Sequence, residues 1–145
     1  METPEQALSI ASPYEEVIDL RGLQKLMLPI EVFVQRDRLG TMQGPVYGAM
    51  LRMMMCSLRE VPAGSLKADE RELRTLAGML YSPDGEWQIV YQYLRMNWVL
   101  CDDGRYYDPA LENAVTAMWR QLKGGRAGAM RSVEARMGKR VSNET

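Results

Sequence analysis

The stretch WQIVYQYLRMNWVLCDDGRYYDPAL (Trp87 to Leu111) decides the fold, because its pattern changes from helix to strand and back to helix. Its first part carries apolar side chains at helical spacing, which predicts a helix that ends near Asn97. Two runs rich in strand-forming residues follow, over 98–101 and 105–107. Between them, Asp103-Gly104 is a pair favoured in two-residue type I′ turns, so we predict a β-hairpin with such a turn.

A further helix is predicted directly after the hairpin. Asp108-Pro109 marks its start, because aspartate caps helices and proline suits their first turn. Its core-facing series is Leu111, Val115, Met118, Trp119 and Leu122. In the strand before it, Tyr106 and Tyr107 point to opposite faces. We therefore expect one tyrosine to be buried and the other to be exposed, where it can stack on a base or pack on a partner.

Two helical runs precede the deciding stretch. The first begins at Pro45, continues to Leu58 and is apolar on almost every side. Such a helix is either the central core helix or a methionine-rich face that packs on another protein, and the first interpretation is favoured. The second run covers 69–80, and Asp69 and Glu72 have the spacing of a capping box at its start.

The third helix, the one within the deciding stretch, begins at Ser82-Pro83-Asp84, with the serine as its cap. Three helices followed by a hairpin is the order of a winged helix-turn-helix, here with an extra C-terminal helix. The predicted fold class is therefore mainly α with a small β-hairpin, that is, α+β. We divide the chain into an acidic N-terminal appendage (1–26), a winged-helix domain (27–122) and a basic, glycine-containing C-terminal tail (123–145).

The N-terminal part of the chain gives weaker signals. Apolar residues between 17 and 26 are spaced to line one face of a short helix in the acidic appendage. After them, Ile30, Val32 and Val34 alternate with Glu31 and Phe33. This alternation predicts a short extended segment over 27–34 that packs on the core.

Composition excludes several classes of protein. No apolar run reaches the roughly 20 residues of a membrane span, and no secretory signal is recognisable, so we expect a cytoplasmic protein without membrane contact. The 145 residues include no histidine and only two cysteines, Cys56 and Cys101. A zinc site and histidine-based catalysis are thereby excluded, and the cysteines are interpreted as ordinary reduced thiols. We expect no cofactor, no metal and no enzymatic activity.

The net charge of −1 conceals an asymmetry between the two ends of the chain. Before Arg21 there are acidic residues and no base, whereas the stretch 120–140 contains Glu134 as its one acid. The basic residues of that stretch are Arg120, Lys123, Arg126, Arg131, Arg136, Lys139 and Arg140. Several of them are expected to contact nucleic-acid phosphates without reading bases. The other interpretation is a solvated helix end or linker.

The third helix is the candidate recognition helix. In a helix-turn-helix protein it would enter the major groove, with Gln88, Gln92 and Arg95 on its outer side and Arg105 nearby in the wing. Acidic residues close in sequence oppose phosphate binding there, namely Asp84, Glu86, Asp102 and Asp103. Contact with a protein, or dimerisation, is an interpretation of this surface that is at least as strong.

Short motifs occur in a fixed order over 27–140: Leu28-Pro29, GPVYGAML from Gly44, SLKAD from Ser65, Trp87, DGRY from Asp103 and GGR from Gly124. In this order the chain resembles the YdaU-like domain, a family of uncharacterised proteins encoded in phages and prophages. The resemblance implies a winged helix, frequently followed by a basic Gly-rich linker and a second domain. It also implies a role near DNA replication, because members are often described as replication-initiation or primosomal proteins.

Two hypotheses of function follow. In the first, the chain is a phage or prophage DNA-replication accessory protein that binds DNA non-specifically through the basic tail. Its winged-helix body then positions a partner, which the resemblance suggests is a replicative helicase or its loader. In the second, the chain is a protein-interaction module that dimerises or binds a host protein and hardly touches DNA. A sequence-specific transcriptional regulator is a weaker third alternative, since it requires a symmetric dimer.

Overall fold

The computed structural model describes residues 10–36 and 42–125. Their elements are, in chain order, α1 (Ile30–Arg36), α2 (Gly44–Ser57), β1 (Ser65–Lys67), α3 (Glu70–Leu76), α4 (Asp84–Asn97), β2 (Val99–Leu100), β3 (Arg105–Tyr107), a 3-10 turn (Pro109–Leu111) and α5 (residues 112–125). The fold is mainly helical with a small antiparallel sheet, which confirms the predicted α+β class. None of the described helices is long and apolar enough to cross a membrane.

The sheet has the strand order β1-β3-β2, with β3 at its centre and both pairs antiparallel. Leu66, Tyr106 and Leu100 lie side by side in one row across it. The β2–β3 pair confirms the predicted hairpin. The third strand, β1, was not predicted, because three residues are too few to show the alternation by which a strand is recognised.

The turn between β2 and β3 is not the predicted type I′ turn. That type needs positive φ at two residues, but only Gly104 has it here, at +74°, and none of the described non-glycine residues does. The Gly104 N–H donates to the Cys101 carbonyl at 3.1 Å, and the Cys101 N–H donates to the Arg105 carbonyl at 2.9 Å. The loop between the paired residues Cys101 and Arg105 therefore has three residues, 102–104, and its left-handed conformation, which is costly for any residue with a Cβ, falls on the glycine.

The methionine-rich helix α2 lies in the centre of the core. Met50, Met53 and Met54 are completely buried, while Met55 is exposed. Flexible thioether side chains fill irregular gaps well, which suits a helix that packs against α3, α4 and β1. The core-helix interpretation is confirmed, and most of the methionine-rich face is not available to a partner.

The start of α3 was predicted better than its end. Asp69 caps the helix, because its carboxylate accepts the Glu72 backbone N–H at 3.1 Å. The helix ends at Leu76, however, and not at Leu80. Gly78 follows with a φ of +75°, the left-handed conformation with which helices commonly end.

The start of α4 corrects a second prediction. Ser82 does not cap this helix, because Pro83 occupies the cap position and no side chain makes a capping hydrogen bond there. Arg74 orders the preceding loop instead. Its guanidinium donates to the Met79 and Ser82 carbonyls and pairs with Asp84 at 2.9 Å. These contacts of one side chain hold the loop between α3 and α4 in place.

The segment predicted to be extended over 27–34 is largely helical. In α1 the Val32 N–H donates to the Pro29 carbonyl at 3.1 Å, and Glu31 lies in the first turn, where a negative charge is favourable. Val32 is buried, but Ile30 is 78% exposed. The alternating β-branched residues therefore do not share one buried face.

Residues 10–26 form no helix, so the short helix predicted over 17–26 is wrong. They cross the body as an irregular strap. The Asp102 N–H donates to the Ile10 carbonyl at 2.6 Å, and the Ala63 N–H donates to the Ile18 carbonyl at 2.8 Å. Ile18 and Leu20 are buried in the common core. Whether 1–26 is a unit of its own stays a prediction, but its described part contributes to that core.

The helix after the hairpin confirms its predicted start and most of its buried series. Asp108 accepts the Ala110 N–H at 3.0 Å and begins the 3-10 turn that leads into α5. Leu111, Val115 and Met118 are buried, as their spacing predicted. Trp119 and Leu122, the last two residues of the predicted series, are only half-buried.

Candidate nucleic-acid interface

The outer side of α4 carries the candidate base-reading residues. Gln88, Gln92 and Arg95 are all exposed. The opposite side of the helix is completely buried through Trp87, Val90 and Leu94. The fold thus brings the three candidates to one surface, and their role as DNA contacts stays a prediction.

One end of this surface is already occupied by a carboxylate. The Gln88 amide donates to Glu70 Oε1 at 3.2 Å, and the Trp87 indole donates to the same oxygen at 3.0 Å. Glu70 is the first residue of α3, and these two hydrogen bonds link that end of α3 to α4. A phosphate approaching Gln88 would therefore meet a negative charge, which opposes binding.

The middle of the outer side is apolar. Ile89 is 49% exposed and Met96 is 74% exposed, with Gln92 between them along the helix. Neither side chain was among the predicted candidates. The sequence did carry a signal: the two residues are seven apart, which places them on one side of the helix, away from the buried stripe. Groove binding gains little from such side chains, whereas a protein partner can bury them.

Arg95 is the positive charge of this surface. Its guanidinium carbon lies 5.5 Å from the centre of the Tyr91 ring, within the range of a cation–π contact. It remains exposed and can still reach a ligand. A single cation gives weak affinity for nucleic acid, because that affinity rises with the number of phosphates neutralised.

Arg105, the candidate in the hairpin, contacts side chains of the protein itself. Its Nε donates to Ser65 Oγ at 2.8 Å, and its guanidinium lies 3.7 Å from Glu60. Only 19% of the side chain is exposed. Its charge thus lies close to that of Glu60, an arrangement that sequence spacing could not reveal because Ser65 and Glu60 are far away along the chain.

The tip of the hairpin is acidic. Asp102 and Asp103 are both exposed, and the Asp103 carboxylate accepts the Arg105 backbone N–H at 3.1 Å as well as the Tyr107 hydroxyl. These bonds fix the conformation of the tip. A hairpin tip of this charge does not favour the phosphate backbone.

The expectation of one exposed wing tyrosine is wrong. Both Tyr106 and Tyr107 are buried. The face of the sheet that carries Tyr107 is covered by the N-terminal strap, where Tyr14 packs edge-on with ring centres 5.8 Å apart. Burial, followed by the hydrogen bond to Asp103, raises the pKa of Tyr107 to about 12. Neither tyrosine is therefore available to stack on a base.

The end of α5 carries the two candidate bases of the C-terminal stretch that lie within the described residues, Arg120 and Lys123. Arg120 is exposed. Lys123 Nζ lies 2.8 and 3.0 Å from the two carboxylate oxygens of Glu16, and the Trp119 indole N–H donates to the same carboxylate at 2.9 Å. The hydrogen bonds from Lys123 and then from Trp119 hold the pKa of Glu16 below its usual value. The remaining candidates lie outside the described residues: Arg126, Arg131, Arg136, Lys139 and Arg140.

The acidic side chains of the described residues form no three-ligand metal site, and they leave the cavity beside α3 unsuited to a small anion. Within 10–36 and 42–125, no group of three His, Cys, Asp or Glu side chains is placed to hold a metal ion. A cavity of 390 Å³ lies beside α3, lined by Glu60, Asp69, Arg71, Glu72, Thr75 and Leu76. Its three carboxylates face one guanidinium, so its charge disfavours phosphate.

The two cysteines are free thiols, Cys56 half-buried and Cys101 buried. Burial, with Asp103 and Asp102 adding to it, raises the pKa of Cys101 to about 11. Cys101 is therefore a weak nucleophile at neutral pH, because only the thiolate reacts.

The chain matches no protein-family model, no curated protein and no solved structure. The resemblance to the YdaU-like domain stays a prediction from the motifs.

Proposed function

We propose that this protein is a winged-helix accessory protein that binds nucleic acid non-specifically, through the basic segment at its C-terminal end and not through α4. The basic segment comprises the seven candidate bases between Arg120 and Arg140. A role in phage or prophage DNA replication, with a replicative helicase or its loader as partner, is the part of the proposal that rests on the resemblance.

The winged-helix assignment is supported by the order of the elements. One helix, a strand, two helices and a hairpin follow one another from α2 to β3, and the strands lie in the order β1-β3-β2. In this assignment α3 and α4 are the helix-turn-helix, and the β2–β3 hairpin is the wing.

The distribution of positive charge is the observation that carries the proposal. On the surface of α4 and the hairpin, Arg95 is exposed but Arg105 is engaged with Ser65 and Glu60. Glu70 occupies the Gln88 end of this surface, and Asp102 and Asp103 are exposed at the tip of the hairpin. The basic segment, by contrast, has seven bases and Glu134 as its one acid. Because phosphate neutralisation supplies most of non-specific affinity, this segment is the stronger candidate.

Fluorescence anisotropy with labelled single- and double-stranded oligonucleotides over a salt series tests the proposal. We expect affinity that falls steeply with salt, at about 0.7 log units per log unit of salt for each contacted phosphate of a single strand. A truncation ending at Gln121 should lose this affinity for oligonucleotides. A full-length variant with glutamine at the five basic positions beyond Gly125 is the length-matched control and should lose most of it.

Two results would contradict this assignment. Unchanged binding in the truncation and in the glutamine variant would move the site to α4 and the wing, where Arg95→Gln should then weaken binding. Absence of binding by the intact protein at low salt would reject the nucleic-acid function.

A second candidate function, protein binding through α4, is favoured by the exposure of Ile89 and Met96. Self-association by sedimentation velocity, and co-elution with a replicative helicase, would test it. Met96→Gln should weaken either association. Met55→Gln makes the same chemical change at an exposed methionine of α2 and should leave it intact. Equal effects of the two substitutions would argue against the α4 surface.

A further inference from the structure

One carboxylate of the N-terminal strap occupies the end of α5. Glu16 accepts a hydrogen bond from the Trp119 indole at 2.9 Å and pairs with Lys123 at 2.8 Å. Lys123 Nζ also lies 5.5 Å from the centre of the Trp119 ring. Trp119 and Lys123 are one helical turn apart on α5, so their two donors converge on one anion.

The chemistry of these donors is that of a phosphate site. An ammonium group and an N–H bind the oxygens of a nucleic-acid backbone, and a half-exposed aromatic ring beside them can stack on a base. A carboxylate offers the same donors two negatively charged oxygens. Glu16 therefore stands where a phosphate group of the backbone could bind.

The contact is also of a kind that a ligand can displace. The side chains of Lys123 and Glu16 are 46% and 56% exposed. Exposed ion pairs are weak, since water and salt screen them. Glu16 belongs to an irregular strap and not to a helix or strand, so its side chain can leave without breaking a regular element.

We propose that Trp119 and Lys123 form a binding site for a backbone phosphate of single-stranded nucleic acid, which Glu16 fills when no nucleic acid is bound. The acidic N-terminal strap thus competes with nucleic acid for the first part of the basic segment. This inference rests on the proposed function, and it adds a named site and an internal competitor to it.

The test compares Glu16→Gln with Glu15→Gln. Both remove one negative charge from the strap, and Glu15 is the exposed neighbour. With a labelled oligothymidylate and anisotropy, Glu16→Gln should raise affinity about two- to fivefold over Glu15→Gln, as expected for loss of an exposed ion pair. For Glu16→Gln, the slope of the logarithm of affinity against the logarithm of salt concentration should be steeper by about 0.7, because Lys123 then contributes as a free cation.

A double-mutant cycle separates this site from a general effect of charge. On the Lys123→Gln background, Glu16→Gln should bring no gain beyond that of Glu15→Gln. In ¹⁵N NMR spectra of the wild type, oligothymidylate should shift the Trp119 indole signal, assigned through Trp119→Phe. The indoles of Trp87 and Trp98 are in buried side chains and should shift less.

The outcomes separate the two proposals. If the wild type binds but Glu16→Gln and Glu15→Gln behave alike, or the Trp119 signal does not move, the site is overturned and the nucleic-acid function stands. If neither the wild type nor Glu16→Gln binds at low salt, the nucleic-acid function is rejected and the site with it. Circular dichroism and thermal melting of Glu16→Gln should match those of the wild type, which ensures that folded proteins are compared.

Discussion

Gly78 shows how a single backbone conformation ends a helix. Its φ of +75° lies in the left-handed region, and its N–H donates to the Thr75 carbonyl at 3.0 Å. A Cβ at this position would lie 3.3 Å from the Arg52 guanidinium, which is itself close to the end of α3 because Arg52 Nε donates to the Leu76 carbonyl. Any side chain here is strained both by the backbone and by its neighbour.

We predict that Gly78→Ala lowers the free energy of unfolding by about 1–2 kcal/mol, the cost of a left-handed conformation for a residue with a Cβ. Urea denaturation measures it. Gly48→Ala is the matched control. Gly48 lies inside α2, and a Cβ there would meet nothing within 4 Å. Alanine should therefore stabilise α2 by about 0.5–1 kcal/mol. Effects of the same sign at both positions would contradict this account.

Single residues were predictable where local chemistry alone decides. Asp69 and Asp108 cap helices as expected, because each carboxylate needs only a backbone N–H two or three residues later. Ser82 is a residue type that often caps helices and lies directly before Pro83-Asp84, but Pro83 occupies the cap position. Arg105 was out of reach of local rules, since its partner Ser65 is 40 residues away in sequence.

At the scale of the elements, the β2–β3 hairpin is notable for burying a tyrosine on each face. Burial raises the pKa of Tyr106 to about 12, with Tyr91 adding to it, and burial together with Asp103 does the same for Tyr107. Both values lie above the ordinary value of 10.0. The folded protein therefore keeps the two phenolic protons at a pH at which the unfolded chain releases them.

This difference predicts a loss of stability in alkali. The contribution of the two tyrosines is complete below pH 10.0 and is lost as the pH rises toward about 12, because the folded state then binds more protons than the unfolded state. Over this pH range, the urea midpoint of unfolding should fall less for Tyr107→Phe than for the wild type. Tyr81→Phe, a change at a side chain that is 96% exposed, should follow the wild type. Identical curves for all three proteins would contradict the prediction.

Elements with many residues on one buried face were predictable, and short ones were not. α2 and α4 are 14 residues each: α4 shows helical spacing, and α2 is a long apolar run with a proline in its first turn. β1 has three residues and α1 seven, so their patterns are short and ambiguous. In α1 the alternation of Ile30, Val32 and Val34 favoured a strand, whereas Pro29 and the charge of Glu31 favoured the helix that forms.

At the scale of the whole molecule, the N-terminal strap belongs to the fold. It covers the outer face of the sheet at Tyr107, hydrogen-bonds to the hairpin through Ile10, and buries Ile18 and Leu20. Its acidic composition gave no sign of this. Packing between distant segments depends on the tertiary structure, which is why the Glu16 contacts at Trp119 and Lys123 were also not predictable from the sequence.

We predict that Ile18→Ala lowers the free energy of unfolding by about 2–5 kcal/mol, the range for emptying a buried isoleucine site. Chemical denaturation measures it. Val17→Ala, at the adjacent residue whose side chain is 66% exposed, should cost much less. If the strap were an appendage without a share in the core, the two substitutions would have equally small effects.

The contact between Glu16 and Lys123 also closes a long loop of the chain, since it joins residues 107 positions apart. In an unfolded chain such distant residues seldom meet, and the entropy lost in bringing them together grows only slowly with the length between them. A covalent link between these two positions would thus restrict the unfolded ensemble far more than the folded protein. The chain's own geometry therefore marks the place where cyclisation would stabilise it.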